Sequence, residues 1–172
     1  MDPEPDARRT ASATEPQVTG GREVPEEIRA LSTVTDPDYA DFFVLMAGGA
    51  AHGTPEEWTR AAFEETFASP GARFLLGRVL GLSLQPPGAP GCVGGWRIAG
   101  RGDGWLRIEA EGRSMSVHIV VRTEEDRVSA ATIIGYRRWW AARVWPPLSA
   151  RHRGFMPGLL RKAHARLVHP AG

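Results

Sequence analysis

The sequence predicts an α+β protein: a curved antiparallel β-sheet wrapped around a long C-terminal helix, with two short helices after the first strand. Three observations carry that expectation. Between residues 104 and 138 apolar and polar side chains alternate with a period of two, as in half-buried strands of an antiparallel sheet. After Pro146-Pro147 the spacing changes to threes and fours, the period of an amphipathic helix. Ahead of both, Thr54-Pro55-Glu56-Glu57 combines a capping threonine, a proline suited to the first helical position and a glutamate able to close a capping box.

Taken in order, residues 1–24 are rich in Pro, Glu, Thr, Ser and Gly and nearly free of large apolar side chains. Burial cannot offset the entropy of ordering them, so they read as a disordered tail ahead of a single domain, 25–172. Pro25 to Leu31 reads as a short helix or an extended lead-in. Asp36-Pro37-Asp38 is a turn signal. Tyr39 to Ala47, dense in aromatic and branched residues, is the expected first strand, ended by Gly48-Gly49. The capped helix carries Trp58, Ala61, Ala62 and Phe67 on its apolar stripe and breaks at Ser69-Pro70-Gly71. A second helix is expected over Ala72 to Leu80, with Phe74, Leu75 and Val79 inward. Three prolines make Gln85 to Gly91 a loop.

In the alternating stretch Leu106, Ile108 and Ala110 share one face, against Trp105, Arg107, Glu109 and Glu111. Met115, Val117, Ile119 and Val121 oppose Ser116, His118 and Arg122. Glu124-Glu125-Asp126 turns the chain into a strand over Val128 to Arg138. The last helix places Leu148, His152, Phe155, Met156, Leu159, Leu160, Ala163 and Leu167 on one face. Pro157 kinks it, or opens a shorter helix near Gly154-Phe155.

Composition narrows the class. Hydrophobic residues make up 42% and charged residues 24%, which suits a globular fold and excludes wholly disordered or collagen-like chains. The longest nearly uncharged apolar run, Phe42 to Ala51, is too short to cross a bilayer as a helix. The first residues lack the apolar core of a secretory signal. Cys92 is the only cysteine, so no internal disulfide and no Cys-rich zinc site is expected. A cytoplasmic location is the expectation from these features. Residues 1–70 carry 14 acids and 5 bases, whereas 71–172 carry 6 acids and 16 bases. The two halves are read as complementing each other within one fold, because nucleic-acid binders usually show a basic excess overall. No nucleic-acid partner is expected. Twenty of the 21 basic residues are Arg, a skew that with abundant Ala, Gly and Pro reflects coding bias and not an arginine-specific surface.

A sheet with one apolar face must cover it, and the final helix has the matching stripe. Space between a curved sheet and one long helix suits an apolar ligand. This layout resembles the helix-grip fold of the START/SRPBCC superfamily, which includes lipid carriers, plant hormone receptors, allergens and polyketide cyclases. The run Arg137-Arg138-Trp139-Trp140 through Arg143-Val144-Trp145-Pro146-Pro147-Leu148 and Arg151-His152-Arg153 to Leu159-Leu160-Arg161-Lys162-Ala163 is similar to the tail of a family of short bacterial proteins of unknown function. The resemblance implies a cavity but no catalytic residue, since members of such a fold share a space and not a chemistry.

The candidate catalytic residues are His152, on the helical stripe, and Tyr136. His152 could act as an acid or base; the simpler reading is a histidine that bonds the Pro146-Pro147 loop. His118 beside Ser116 is read as a solvated strand residue, because no sharp turn exposes a nucleophile there. Glu109 and Glu111 share a face with Arg107, so outward cross-strand ion pairs are expected. Asp36, Asp38 and Asp41 lack the Gly and the distal Glu of a calcium loop, and no metal is expected. Gly94-Gly95 and Gly100-Arg101-Gly102 have no helix start behind them and read as hairpin glycines, not a phosphate cradle. Arg137 to Trp145 mixes Trp with Arg; closure of one cavity mouth by the Trp pair ranks first, ahead of a peripheral membrane or partner contact.

Three functions follow as expectations. The first is a binder of an apolar or aromatic small molecule, lined by Leu106, Ile108, Val117, Ile119, Thr132, Ile134, Tyr136, Phe155, Met156 and Leu159, with Thr132 and Tyr136 orienting the ligand and no cofactor. The second is a polyketide-cyclase-like or dehydratase-like enzyme on the same scaffold. The third is an interaction module that uses the basic, Trp-rich surface 137–145.

Overall fold

A computed structural model describes residues 16–47 and 53–168. The chain is α+β. Seven antiparallel strands form one curved sheet: β1 (Val18–Gly21), β2 (Tyr39–Met46), β3 (Cys92–Val93), β4 (Trp96–Gly102), β5 (Trp105–Glu111), β6 (Met115–Thr123) and β7 (Arg127–Tyr136). Their spatial order is β1-β2-β7-β6-β5-β4-β3. The helices are α1 (Glu26–Arg29), α2 (Pro55–Ala68), α3 (Pro70–Phe74), which runs into a π-helical turn Leu75–Val79, and α4 (Ala141–Val168). Among the described residues no helix is long and apolar enough to cross a membrane.

The meander β4 to β7 follows from short turns. At Val93-Gly94-Gly95-Trp96 the flanking residues pair, and both glycines have left-handed φ, +55° and +90°. A two-residue hairpin needs those angles and only glycine takes them freely. These are hairpin glycines, as expected. α2 starts where its cap indicated: Thr54 Oγ1 accepts from the Glu57 N–H at 3.2 Å, and the Glu57 carboxylate accepts from the Thr54 N–H at 2.6 Å.

Three expectations change. The tail does not run to residue 24: Val18–Gly21 pairs with Phe42–Leu45 as an edge strand. Backbone hydrogen bonds need no large side chain, and at Gly20 the missing Cβ leaves room for the Phe43 ring across the strand pair. Residues 1–15, and the strand end at Gly48-Gly49, lie outside the described residues. α4 begins at Ala141, five residues before Pro146, and runs through Pro146, Pro147 and Pro157. Burial of Ala141 and Trp145 offsets the backbone bonds that the prolines lose. Finally, Phe74, Leu75 and Val79 are exposed and not inward, because Leu76 and Leu80 are the residues of this segment that turn to the core.

The concave face of the sheet is shared by two helices. α4 packs on β2, β1 and α2, while α2 packs on β3, β5 and β6. The convex face is covered as well. Val24, Ile28 and Leu31 lie over Ala40, Phe42, Val120 and Ala131, forming a smaller second core.

Candidate functional site

Between the sheet, α2, the π-helical turn and α4 lies a cavity of about 80 Å³. Its walls are almost wholly apolar: Phe63 and Phe67 from α2, Leu76, Leu80 and Leu82, Trp96, Val117 and Ile119, and Trp145, Phe155, Met156 and Leu159 from α4. Thr132 and His152 are its polar members. Phe67 stacks between Phe63 and Trp96, with ring centroids 5.2 and 4.8 Å away. Phe155 lines the cavity and yet is 52% exposed, so it stands at the rim.

Of the lining expected from sequence, Val117, Ile119, Thr132, Phe155, Met156 and Leu159 reach the cavity. Leu106, Ile108 and Ile134 point to the same concave face but are packed into solid core. Tyr136 is also displaced: it lies at the end of β7, where its N–H donates to Asp38 Oδ2 at 2.6 Å. Burial and the neighbouring Asp38 raise its phenol pKa. Tyr136 does not line the cavity. The Trp pair does not close the mouth. Of the pair Trp139-Trp140, Trp139 is 73% exposed and lies under the Arg143 guanidinium at 4.7 Å, Trp140 is half-buried, and neither lines the cavity; Trp145, further along, enters its wall.

His152 meets a carboxylate partner, Asp41. On β2, Tyr39, Asp41, Phe43 and Leu45 share the concave face, so Asp41 is a carboxylate in an apolar row. It is fully buried. Asp41 Oδ2 accepts from Tyr39 Oη at 2.6 Å and lies 3.1 Å from His152 Nε2. Thr132 Oγ1 is also 3.1 Å from that nitrogen. Burial and the bond to Asp41 push the Tyr39 phenol up to about 12. Arg153 Nη1 reaches Tyr39 Oη at 3.4 Å and Ser149 Oγ at 3.2 Å. Trp145 sits edge-on to Tyr39 at 5.3 Å and 5.6 Å from the His152 ring. His152 therefore does not bond the Pro146-Pro147 loop; Ser149 Oγ donates to Pro146 O instead.

Four buried polar atoms have no hydrogen-bond partner among the described residues, and three belong to this region: Asp41 Oδ1 and the indole Nε1 of Trp96 and of Trp145. An unpaired buried donor costs about 1–3 kcal/mol, so each needs an account.

On the convex face His118 is buried, contrary to the solvated reading. The lead-in after α1 covers it. Ser32 Oγ lies 2.9 Å from Nδ1, and Ser116 Oγ lies 3.4 Å from Nε2 and donates to Glu111 Oε1 at 2.5 Å. Arg107 Nη1 donates to Leu31 O at 2.5 Å. Glu109 pairs with Arg97 across strands, as expected, but is buried and not on the outside; Glu111, partly buried, pairs with Arg137. This network ties residues 31–34 to the sheet. Burial lowers the His118 pKa, and Arg107 adds to it, while Glu109 and Glu111 oppose it. A depressed folded-state value contributes stability that is present above the ordinary value near 6.5 and is lost as pH falls through the depressed one. Urea midpoints should therefore fall on acidification below about pH 6.5, and His118→Gln should flatten that decline. Equal slopes in both proteins would show that His118 does not drive it.

Among the described residues no group of three or more His, Cys, Asp and Glu is arranged to hold a metal ion. Cys92 is buried and free. Compared with protein-family models, curated proteins and solved structures, the chain matches none of them.

Proposed function

We propose that the chain binds a small apolar or aromatic molecule in the cavity between sheet, α2 and α4, on a helix-grip scaffold of the START/SRPBCC kind. The cavity carries this reading: an enclosed apolar space bordered by a few converging polar groups is the usual form of a ligand site. The antiparallel sheet with a long C-terminal helix on its concave face supports the scaffold assignment. At about 80 Å³ the space is well below the roughly 300–1,000 Å³ of sites for drug-sized ligands. Its occupant in this conformation is about one small ring, and anything larger requires Phe155 at the rim to swing out. The unpaired indole N–H groups of Trp96 and Trp145 favour a ligand with an acceptor oxygen, which would recover part of their desolvation cost.

Met156 is buried and lines the cavity, so Met156→Trp should fill it. Overpacking costs about 1–3 kcal/mol by itself, so the increment from ligand is the quantity to compare. Phenol at about 100 times its dissociation constant should stabilise the wild type by about 2.7 kcal/mol and leave Met156→Trp unchanged. An equal rise in melting temperature for both proteins would place phenol elsewhere and remove the cavity from this reading.

A further inference from the structure

The geometry points to proton-transfer chemistry at the cavity wall: His152 acts as a base towards the α-C–H of a small apolar ketone, Asp41 holds the imidazole in place, and the Trp145 indole N–H receives the developing oxyanion. The inference rests on the ligand-binding reading above and adds a reaction and a substrate class to it.

Asp41 Oδ2 can only accept, and it already takes the Tyr39 hydroxyl hydrogen. Its 3.1 Å approach therefore places a hydrogen on His152 Nε2. In the neutral ring that leaves the lone pair on Nδ1, at the opposite edge, with no hydrogen-bond partner among the described residues. A base whose far nitrogen is held by a buried carboxylate is the arrangement that proton abstraction requires. Trp145 supplies the complementary element. It lines the same cavity, its ring centroid is 5.6 Å from that of His152, and its buried Nε1–H is unpaired. A fixed donor in a dry site stabilises charge that appears only during reaction.

The step balances without a co-reactant. His152 Nδ1 takes the proton from the carbon beside the carbonyl. The C–H electron pair moves into the C–C bond as the carbonyl π pair shifts to oxygen, giving an enolate whose oxygen accepts from the Trp145 N–H. Return of a proton from the imidazolium to carbon restores a ketone, exchanged or isomerised. The apolar walls fit the rest of such a molecule. The charged and titratable groups facing His152 and its carboxylate are Asp41 and Tyr39 on β2 and Arg153 on α4, with Arg22 stacked over the Tyr39 ring at 4.4 Å.

The test uses the full chain with cyclopentanone and cyclohexanone in D₂O. Proton NMR follows loss of the α-hydrogens, and saturation-transfer difference reports binding separately. Wild type should accelerate exchange, and His152→Gln should slow it by about 100-fold or more while binding persists. Asp41→Asn should slow it by roughly tenfold or more and displace the pH–rate profile, which a merely structural change would leave in place. Trp145→Phe, which keeps an aromatic ring, should slow exchange by about tenfold or more, and serves if Asp41→Asn does not fold. Binding with exchange no faster than in His152→Gln overturns the proposal and leaves the binding reading standing. Failure of both ketones to bind overturns the proposal and counts against the binding reading too. An Asp41→Asn protein with unchanged rate and profile removes Asp41 from the mechanism.

Discussion

Phe63→Ala is expected to lower stability by about 3–5 kcal/mol, and a small aromatic solute should restore part of the loss. Phe63 is buried and stacks on Phe67 with its plane only 9° away. Truncation removes both the transfer energy of the ring and one wall of an existing space. The new void merges with the cavity of about 80 Å³ and should close only partly, because Phe67, Trp96 and Met156 remain in its walls. The enlarged apolar space should then take toluene or benzene, as apolar cavities of roughly 150 Å³ do. Urea unfolding with and without toluene would read both effects. A loss below about 1 kcal/mol, or no gain from toluene, would mean that Phe63 does not border a persistent cavity.

The second large effect concerns the seat of α4. Trp58 is 1% exposed, one turn into α2, with its ring centroid 6.1 Å from that of His164 on α4. Around it the α2–α4 contacts are polar and near the surface. Arg166 donates to Ala61 O at 3.1 Å and pairs with Glu65, and Lys162 Nζ is 3.4 Å from the same carboxylate. Exposed pairs of this type are worth about 0–1 kcal/mol each. The apolar contact therefore dominates, and Trp58→Ala should cost about 3–5 kcal/mol. Amide exchange should also quicken in α4 between Leu159 and Val168, relative to β6 and β7. Unchanged exchange in α4 would show that the surface ion pairs hold the helix unaided.

Much of this architecture was legible residue by residue. The Thr54–Glu57 box starts α2 because a cap is a contact between neighbours in the chain. The strands from Trp105 to Tyr136 follow their alternation because a pleat turns every second side chain to one face. The helical stripe put His152, Met156 and Leu159 on one side of α4, and all three line the cavity. Asp41 lies in the alternating row with Tyr39 and Phe43 and so faces inward, although its spacing from Asp36 and Asp38 suggests only a sparse metal set.

What the sequence determined by itself was whatever short-range geometry governs: caps, turns, strand faces, the helical stripe and the absence of an internal disulfide. Tertiary structure alone decided which inward positions meet solid core and which meet space. Leu106 and Ile108 share a face and a chemistry with Val117 and Ile119, yet only the second pair borders a gap. It also decided that Asp41 meets His152 and that the lead-in segment buries His118. The physical reason is the same in each case. Whether an apolar position packs, lines a void or is covered depends on the volume brought over it by elements distant in the chain, and no local pattern encodes that volume.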